Sequence, residues 1–118
     1  MEPVGRDSRR DLVRFWKAGN APHEGSPDYV VPLLDDCIHR WSPRSALFAH
    51  ARTQHFVAVR GGRDVGRVAA TVDDLHDRVH GAEPGERTGF FGWFDAPDDP
   101  AVAHALLDAA AAWLRAPE

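Results

Sequence analysis

Apolar residues recur along this chain with two periods, and the changes of period mark its elements. Leu12, Val13, Phe15 and Trp16 gather on one side of a 3.6-residue repeat, and Asp7 or Ser8 supplies an N-cap, so a helix is predicted to about Ala18. Residues 19–27, GNAPHEGSP, have loop composition. Tyr29, Val30 and Val31 are extended because Pro32 follows them. Pro32 then opens a second helix from Leu33 to about Arg40, offering Leu34, Cys37, Ile38 and Trp41 for burial. Ser42 and Pro43 break it, and residues 45–51 allow one more helical turn, presenting Leu47 and Phe48. From His55 to Val59 the pattern alternates with period two, Gly61-Gly62-Arg63-Asp64 is turn chemistry, and residues 65–72 return as the second strand of a hairpin. Val4 allows a short N-terminal edge strand at most.

The stretch from Arg87 to Arg115 organises the rest. Thr88 to Phe94 holds four aromatics and two glycines, a composition that predicts a buried strand. Residues 95–100, DAPDDP, stop it, with Asp99 as N-cap and Pro100 at the first helical position. Strong helix formers follow, and Val102, Leu106, Ala110, Trp113 and Leu114 form one apolar stripe; Arg115 suits the helix dipole and Pro117 ends the helix. The order helix, helix, strand, strand, strand, helix predicts an α+β fold. It is a three-stranded antiparallel meander with two N-terminal helices and one C-terminal helix, in a single domain over residues 1–118.

Composition narrows the function classes. Hydrophobic content of 43% with 27% charged residues suits a packed domain, and a net charge of −4 gives no basic footprint for nucleic acid. No apolar run approaches a membrane span, and MEPVGRDSRRDL lacks the apolar core of a signal peptide, so no membrane partner is expected. The single cysteine, Cys37, excludes an internal disulfide; a cytoplasmic location is expected, with Cys37 as a small packed residue.

Three phrases, SPDYVVPLL at residues 26–34, GRDVGRVAATVDDLHDRVHG at 62–81 and GFFGWFDAPDDPAVAHALLDAAAAWLR at 89–115, together with the element order, resemble the N-terminal half of a GNAT-superfamily N-acyltransferase, closest to an uncharacterised bacterial branch. The resemblance implies that acetyl-CoA or another acyl-CoA lies along Phe90, Phe91, Gly92, Trp93 and Phe94, whose backbone would pair with the pantetheine arm. Its pyrophosphate would sit at the helix N-terminus, on Asp98, Ala101, Val102 and Ala103. The family's motif there is Gln/Arg-x-x-Gly-x-Gly/Ala. Laid on this chain, it places Asp98 at the first position, Ala101 at the glycine and Ala103 at the last, and only the last fits. Asp98 and Asp99 put carboxylates where a diphosphate belongs, and Pro100 removes a donor. Asp99 capping the amides itself is the alternative. The family's usual general acid, a tyrosine from the other half, has no counterpart, so no catalytic residue is assigned and activity of this chain by itself is in doubt. The family's next strand is also missing. The aromatic strand is then an open edge, and a homodimer or hetero-complex through it is expected; a non-catalytic interaction module that pairs through residues 88–94 is the competing function.

The remaining constellations have plainer readings. His76-Asp77-Arg78-Val79-His80 looks like a zinc-protease HExxH with Asp for Glu, but the shorter carboxylate and missing third ligand make these solvated or turn-bonding histidines, and no metal is expected. Arg63, Arg67 and Arg87 lie on or near strands, where arginines are mostly solvated, although they could meet an anion. Trp16, Trp41, Trp93 and Trp113 are core or interface anchors.

Overall fold

A computed structural model describes residues 1–80 and 88–116; Gly81, Pro84, Arg87 and Pro117 lie outside them. The elements are β1 (Glu2–Val4), α1 (Arg9–Asn20), α2 (Leu34–Trp41), β2 (Ala51–Arg60), β3 (Arg63–Asp73), α3 (Asp74–Val79), β4 (Gly89–Asp95) and α4 (Pro100–Arg115), with 3-10 turns at Ala21–His23 and Ala46–Ala49. The fold is α+β, and its sheet has four antiparallel strands in the order β1-β2-β3-β4 rather than the three expected. The added strand pairs Glu2, Pro3 and Val4 with Val57, Phe56 and His55. It buries Val4 in the core, and Pro3 is tolerated because an edge strand can spare a donor.

Helices cover both faces of the sheet. On one, α1 and α2 bury Leu12, Phe15, Ala18, Cys37 and Trp41 against Val4, Val57 and Ala69. On the other, α4 lays Val102, Leu106 and Ala110 on Phe56, Ala58, Val68 and Ala70. Alternation along β2 and β3 produces this division, since successive side chains point to opposite faces. Capping follows the sequence closely. The Ser8 hydroxyl accepts the Asp11 amide at 3.1 Å, and the Asp99 carboxylate accepts that of Ala101 at 3.0 Å.

Asp73 caps α3 by accepting the Leu75 and His76 amides, so the HDRVH phrase runs from that helix to its C-cap, His80. One further expectation is corrected: β4 is exposed along most of its length, not buried. It is the last strand of the sheet, so its aromatics meet neighbours on one side only; Phe91 is 59% exposed and Phe90 40%.

Candidate functional site

The expected cofactor residues divide into an exposed strand and a helix start. Along β4, Ala69 faces Gly92 and Arg67 faces Asp95, so Trp93 and Phe94 together stand opposite Val68 alone. This is a β-bulge, and Trp93 takes φ of 47°, a left-handed conformation that a bulky residue adopts only when its surroundings demand it. The demand is visible: the Trp93 ring packs edge-on against Trp41, 5.1 Å between centroids, and sits over the Arg67 guanidinium at 5.5 Å. Phe90 packs edge-on against His76, and Phe91 against Phe94. Among the described residues no strand pairs with the outer edge of β4, so every second residue turns its N–H and C=O outward.

At the start of α4 the amides expected to hold a pyrophosphate already have partners. Ala101 N–H donates to the Asp99 carboxylate, and Val102 and Ala103 N–H donate to the Asp99 carbonyl at 3.1 and 3.2 Å. The other Asp99 carboxylate oxygen is ion-paired with Arg60. Asp98 is exposed, and the Val102 side chain belongs to the core beneath.

Behind the bulge lies an arrangement that sequence reasoning missed. Arg67, expected to be solvated, is 3% exposed. Its guanidinium lies over Phe15, Trp41 and Trp93, donates to the Phe15 carbonyl at 3.3 Å and reaches Asp95 Oδ2 through Nε and Nη2, each at 3.0 Å. The close passage of α1 needs Gly19, where a Cβ would stand 2.0 Å from Arg67 Cζ. The other oxygen of Asp95 accepts from His23 Nε2 at 2.7 Å. The His23 ring stacks on Tyr29 at 4.1 Å and 5°, and the Tyr29 hydroxyl donates to Asn20 Oδ1 at 2.7 Å. Burial, then the nearby Asp95, raise the Tyr29 phenol above its usual range, so it stays a donor. The one sequence signal for this chain of contacts was a histidine and a tyrosine in a loop otherwise made of turn residues.

Next to Arg67 is a second buried polar group. His55 is 1% exposed and stacked on Phe15 at 3.7 Å, and among the described residues neither its ring nitrogens nor Trp41 Nε1 has a hydrogen-bond partner. Desolvation, then Arg6 and Arg67, push the His55 pKa down to about 3. Cys37 is buried, and burial raises its thiol pKa, which suits packing rather than reactivity. His76 and His80 share a face of α3, stacked at 4.1 Å, with His80 Nδ1–H donating to the His76 carbonyl. Among the described residues no three metal-ligating side chains converge.

No family model and no solved structure matches the chain. Over 107 residues it is 42% identical to the bacterial ceramide synthase of Caulobacter vibrioides, covering 90% of this chain and 27% of that protein. It is 34% identical over 108 residues to protein YghO of Escherichia coli, covering 92% of this chain and 27% of that protein. The chain therefore spans about a quarter of the length of these curated relatives.

Proposed function

We propose that this chain is the GNAT-like, acyl-CoA-binding part of an N-acyltransferase, with the outer edge of β4 as the track for the acyl-CoA. The observation that carries this reading is the bulged edge strand, unpaired on its outer side among the described residues, that leads straight into a capped helix. An extended amide chain such as pantetheine can add to such an edge as a strand does, through the outward N–H and C=O groups. Phe91 and Phe94, exposed beside it, offer apolar surface to an acyl chain. The name of the Caulobacter relative fits the same chemistry, because a ceramide is an amide and its synthesis forms a C–N bond to an acyl group. The pyrophosphate would meet the positive end of the α4 dipole but also Asp98 and Asp99, so binding is weakened there by like charge. Among the described residues no helix is long and apolar enough to cross a membrane, and a chain with one cysteine suits a reducing compartment; we place it in the cytoplasm.

Titration calorimetry with acetyl-CoA and a long-chain acyl-CoA, against free coenzyme A, tests this. Saturable binding that tightens in Asp98→Arg, which restores the charge expected at that position, supports the proposal. No heat and no thermal shift at millimolar ligand sinks it. Exposure of Phe91 favours one second reading, a non-catalytic module whose β4 edge pairs with another copy or a partner protein. A monodisperse monomer at roughly tens of micromolar, a generous concentration for a standard interface, counts against that one.

A further inference from the structure

We propose that the acyl donor matched to this track is an acidic carrier protein bearing its acyl group on a 4′-phosphopantetheine arm, with the outer face of α1 and the β2–β3 turn as the surface on which the carrier docks. The inference rests on the acyltransferase reading above, whose strand edge would serve a pantetheine arm from either source.

The two ends of that track are unequal. Along β4 the outward backbone groups suit the amides of pantetheine, but the start of α4 is closed to a diphosphate. Asp99 takes the Ala101, Val102 and Ala103 amides, and Pro100 has none to offer. Asp98 stands exposed, with no ion pair among the described residues. Coenzyme A would bring a diphosphate and a phosphomonoester to this place. A carried arm ends in a single phosphodiester, and a protein takes the place of the nucleotide. Repulsion grows with the product of the charges, so the carried arm meets the least of it.

A chain of contacts leads from that helix start to a basic face. Asp99 is ion-paired with Arg60 at the end of β2, and Arg60 lines a cleft of about 400 Å³ with Arg63, Asp64 and Pro97. Asp64 accepts from Arg14 Nε and Nη2, each at 2.9 Å, and also lines a second cleft of about 760 Å³ with Arg9, Arg10, Arg14 and Lys17. Across the two clefts six cations line the walls against three carboxylates, those of Asp11, Glu24 and Asp64. The whole chain has a net charge of −4, so this positive field belongs to one side of the molecule. Arg10, Arg14 and Lys17 recur at spacings of four and three, which puts them on one face of α1. Arg14 is balanced by Asp64 and Glu2, whereas Arg10, Lys17 and Arg63 are exposed and have no ion pair among the described residues. These three are the charges that an acidic protein surface complements, beside the end of the track where the arm would join its carrier.

The transfer keeps its balance with this donor. The thioester carbonyl carbon bonds to the acceptor amine nitrogen, and the C–S bond breaks with its electrons on sulfur. One proton passes from that nitrogen to the thiolate, leaving an amide and a carrier with a free thiol.

Calorimetry of the 118-residue chain with three octanoyl donors tests the assignment: an octanoylated bacterial acyl carrier protein, octanoyl-CoA and octanoyl-pantetheine. The carrier is expected to bind tightest. Exposed charge pairs are individually weak, but three of them amount to about tenfold in affinity over uncharged octanoyl-pantetheine at low salt. That margin should shrink as salt is added. The triple variant Arg10→Ala, Lys17→Ala, Arg63→Ala changes exposed positions only; it should lose the margin and leave octanoyl-pantetheine binding unchanged. Octanoyl-CoA that binds as tightly as the octanoyl carrier, or a margin that survives in the variant, overturns the carrier and leaves the acyltransferase reading standing. Equal binding of the same carrier without its arm also overturns it, because the face would then attract acidic surfaces in general. If none of the three donors binds, the acyltransferase reading falls and the carrier with it.

Discussion

Lowering the pH from 7 to about 4.5 should destabilise this protein chiefly through His55. His55 is enclosed by Phe15 and Trp41, with both ring nitrogens unpartnered and two guanidinium groups, those of Arg6 and Arg67, disfavouring positive charge. Its folded pKa is about 3, against 6.5 for a free histidine side chain. Above 6.5 the ring is neutral in both states and contributes no pH dependence. Below 6.5 the unfolded chain takes up a proton that the folded chain refuses, so stability falls as pH falls, by about 1.4 kcal/mol per unit, until the folded ring titrates near 3. At roughly pH 4.5 the accumulated loss is about 3 kcal/mol, a large share of the 5–15 kcal/mol typical of a domain.

The assay is urea unfolding followed by tryptophan fluorescence, near pH 7 and near pH 4.5, for the parent chain and His55→Phe. Phenylalanine keeps the stacked ring and removes both unpartnered nitrogens, so the variant is expected to be at least as stable near neutrality. It should also lack most of the acid loss. Asp73 adds a loss of its own. Desolvation is the largest single influence and opposes the shift, but the hydrogen bonds from His50, His76 and Leu75 together with the nearby His50 charge outweigh it and lower its pKa. That loss falls at lower pH, below the ordinary aspartate value of 3.8, and is common to both proteins, so it cancels in the difference. Equal acid losses in parent and variant would refute the reasoning.

Two other substitutions probe the support of the site and the open edge. Gly19→Ala places a methyl against Arg67, which cannot retreat without leaving Asp95 and the Phe15 carbonyl; a loss of about 3 kcal/mol is expected in the same urea assay. Phe91→Lys, at a position 59% exposed, should change stability by less than about 0.5 kcal/mol. If the chain self-associates through β4, it should also shift sedimentation towards the monomer.

The elements that sequence predicted well are those whose signals are local. Asp99 and Pro100 start α4 by satisfying and omitting amides within one turn, and Gly61 and Gly62 adopt the positive φ that the hairpin needs. Elements whose existence depends on a distant partner were harder to read. Three residues cannot show a period, so β1 becomes a strand only because the outer edge of β2 is there to pair with it. At α3 the strand pattern runs to Val72, and the single Asp73 cap is what turns the chain helical. For β4, aromatic composition indicated a strand correctly but burial wrongly. Propensity says that a residue suits a pleated surface; it does not say whether a second strand lies beyond it.

Arg67 shows why the site was harder still to see. In the run Arg67-Val68-Ala69-Ala70-Thr71-Val72, the residues Val68, Ala70 and Val72 make an obvious core face, which leaves Arg67 on the face assumed to be solvated. That face is covered as well, by α1 and α2, and a cation beneath them survives only with an anion and a carbonyl aimed at it. The anion comes from the end of β4, where Asp95 reads locally as a strand stop. The room comes from Gly19, which reads locally as the end of a helix. Each residue has a sufficient local explanation, so none of them signals the others. Once Arg67 is known to be buried, the direction of inference reverses: its charge requires Asp95, Asp95 has one oxygen left, and His23 is the group that takes it.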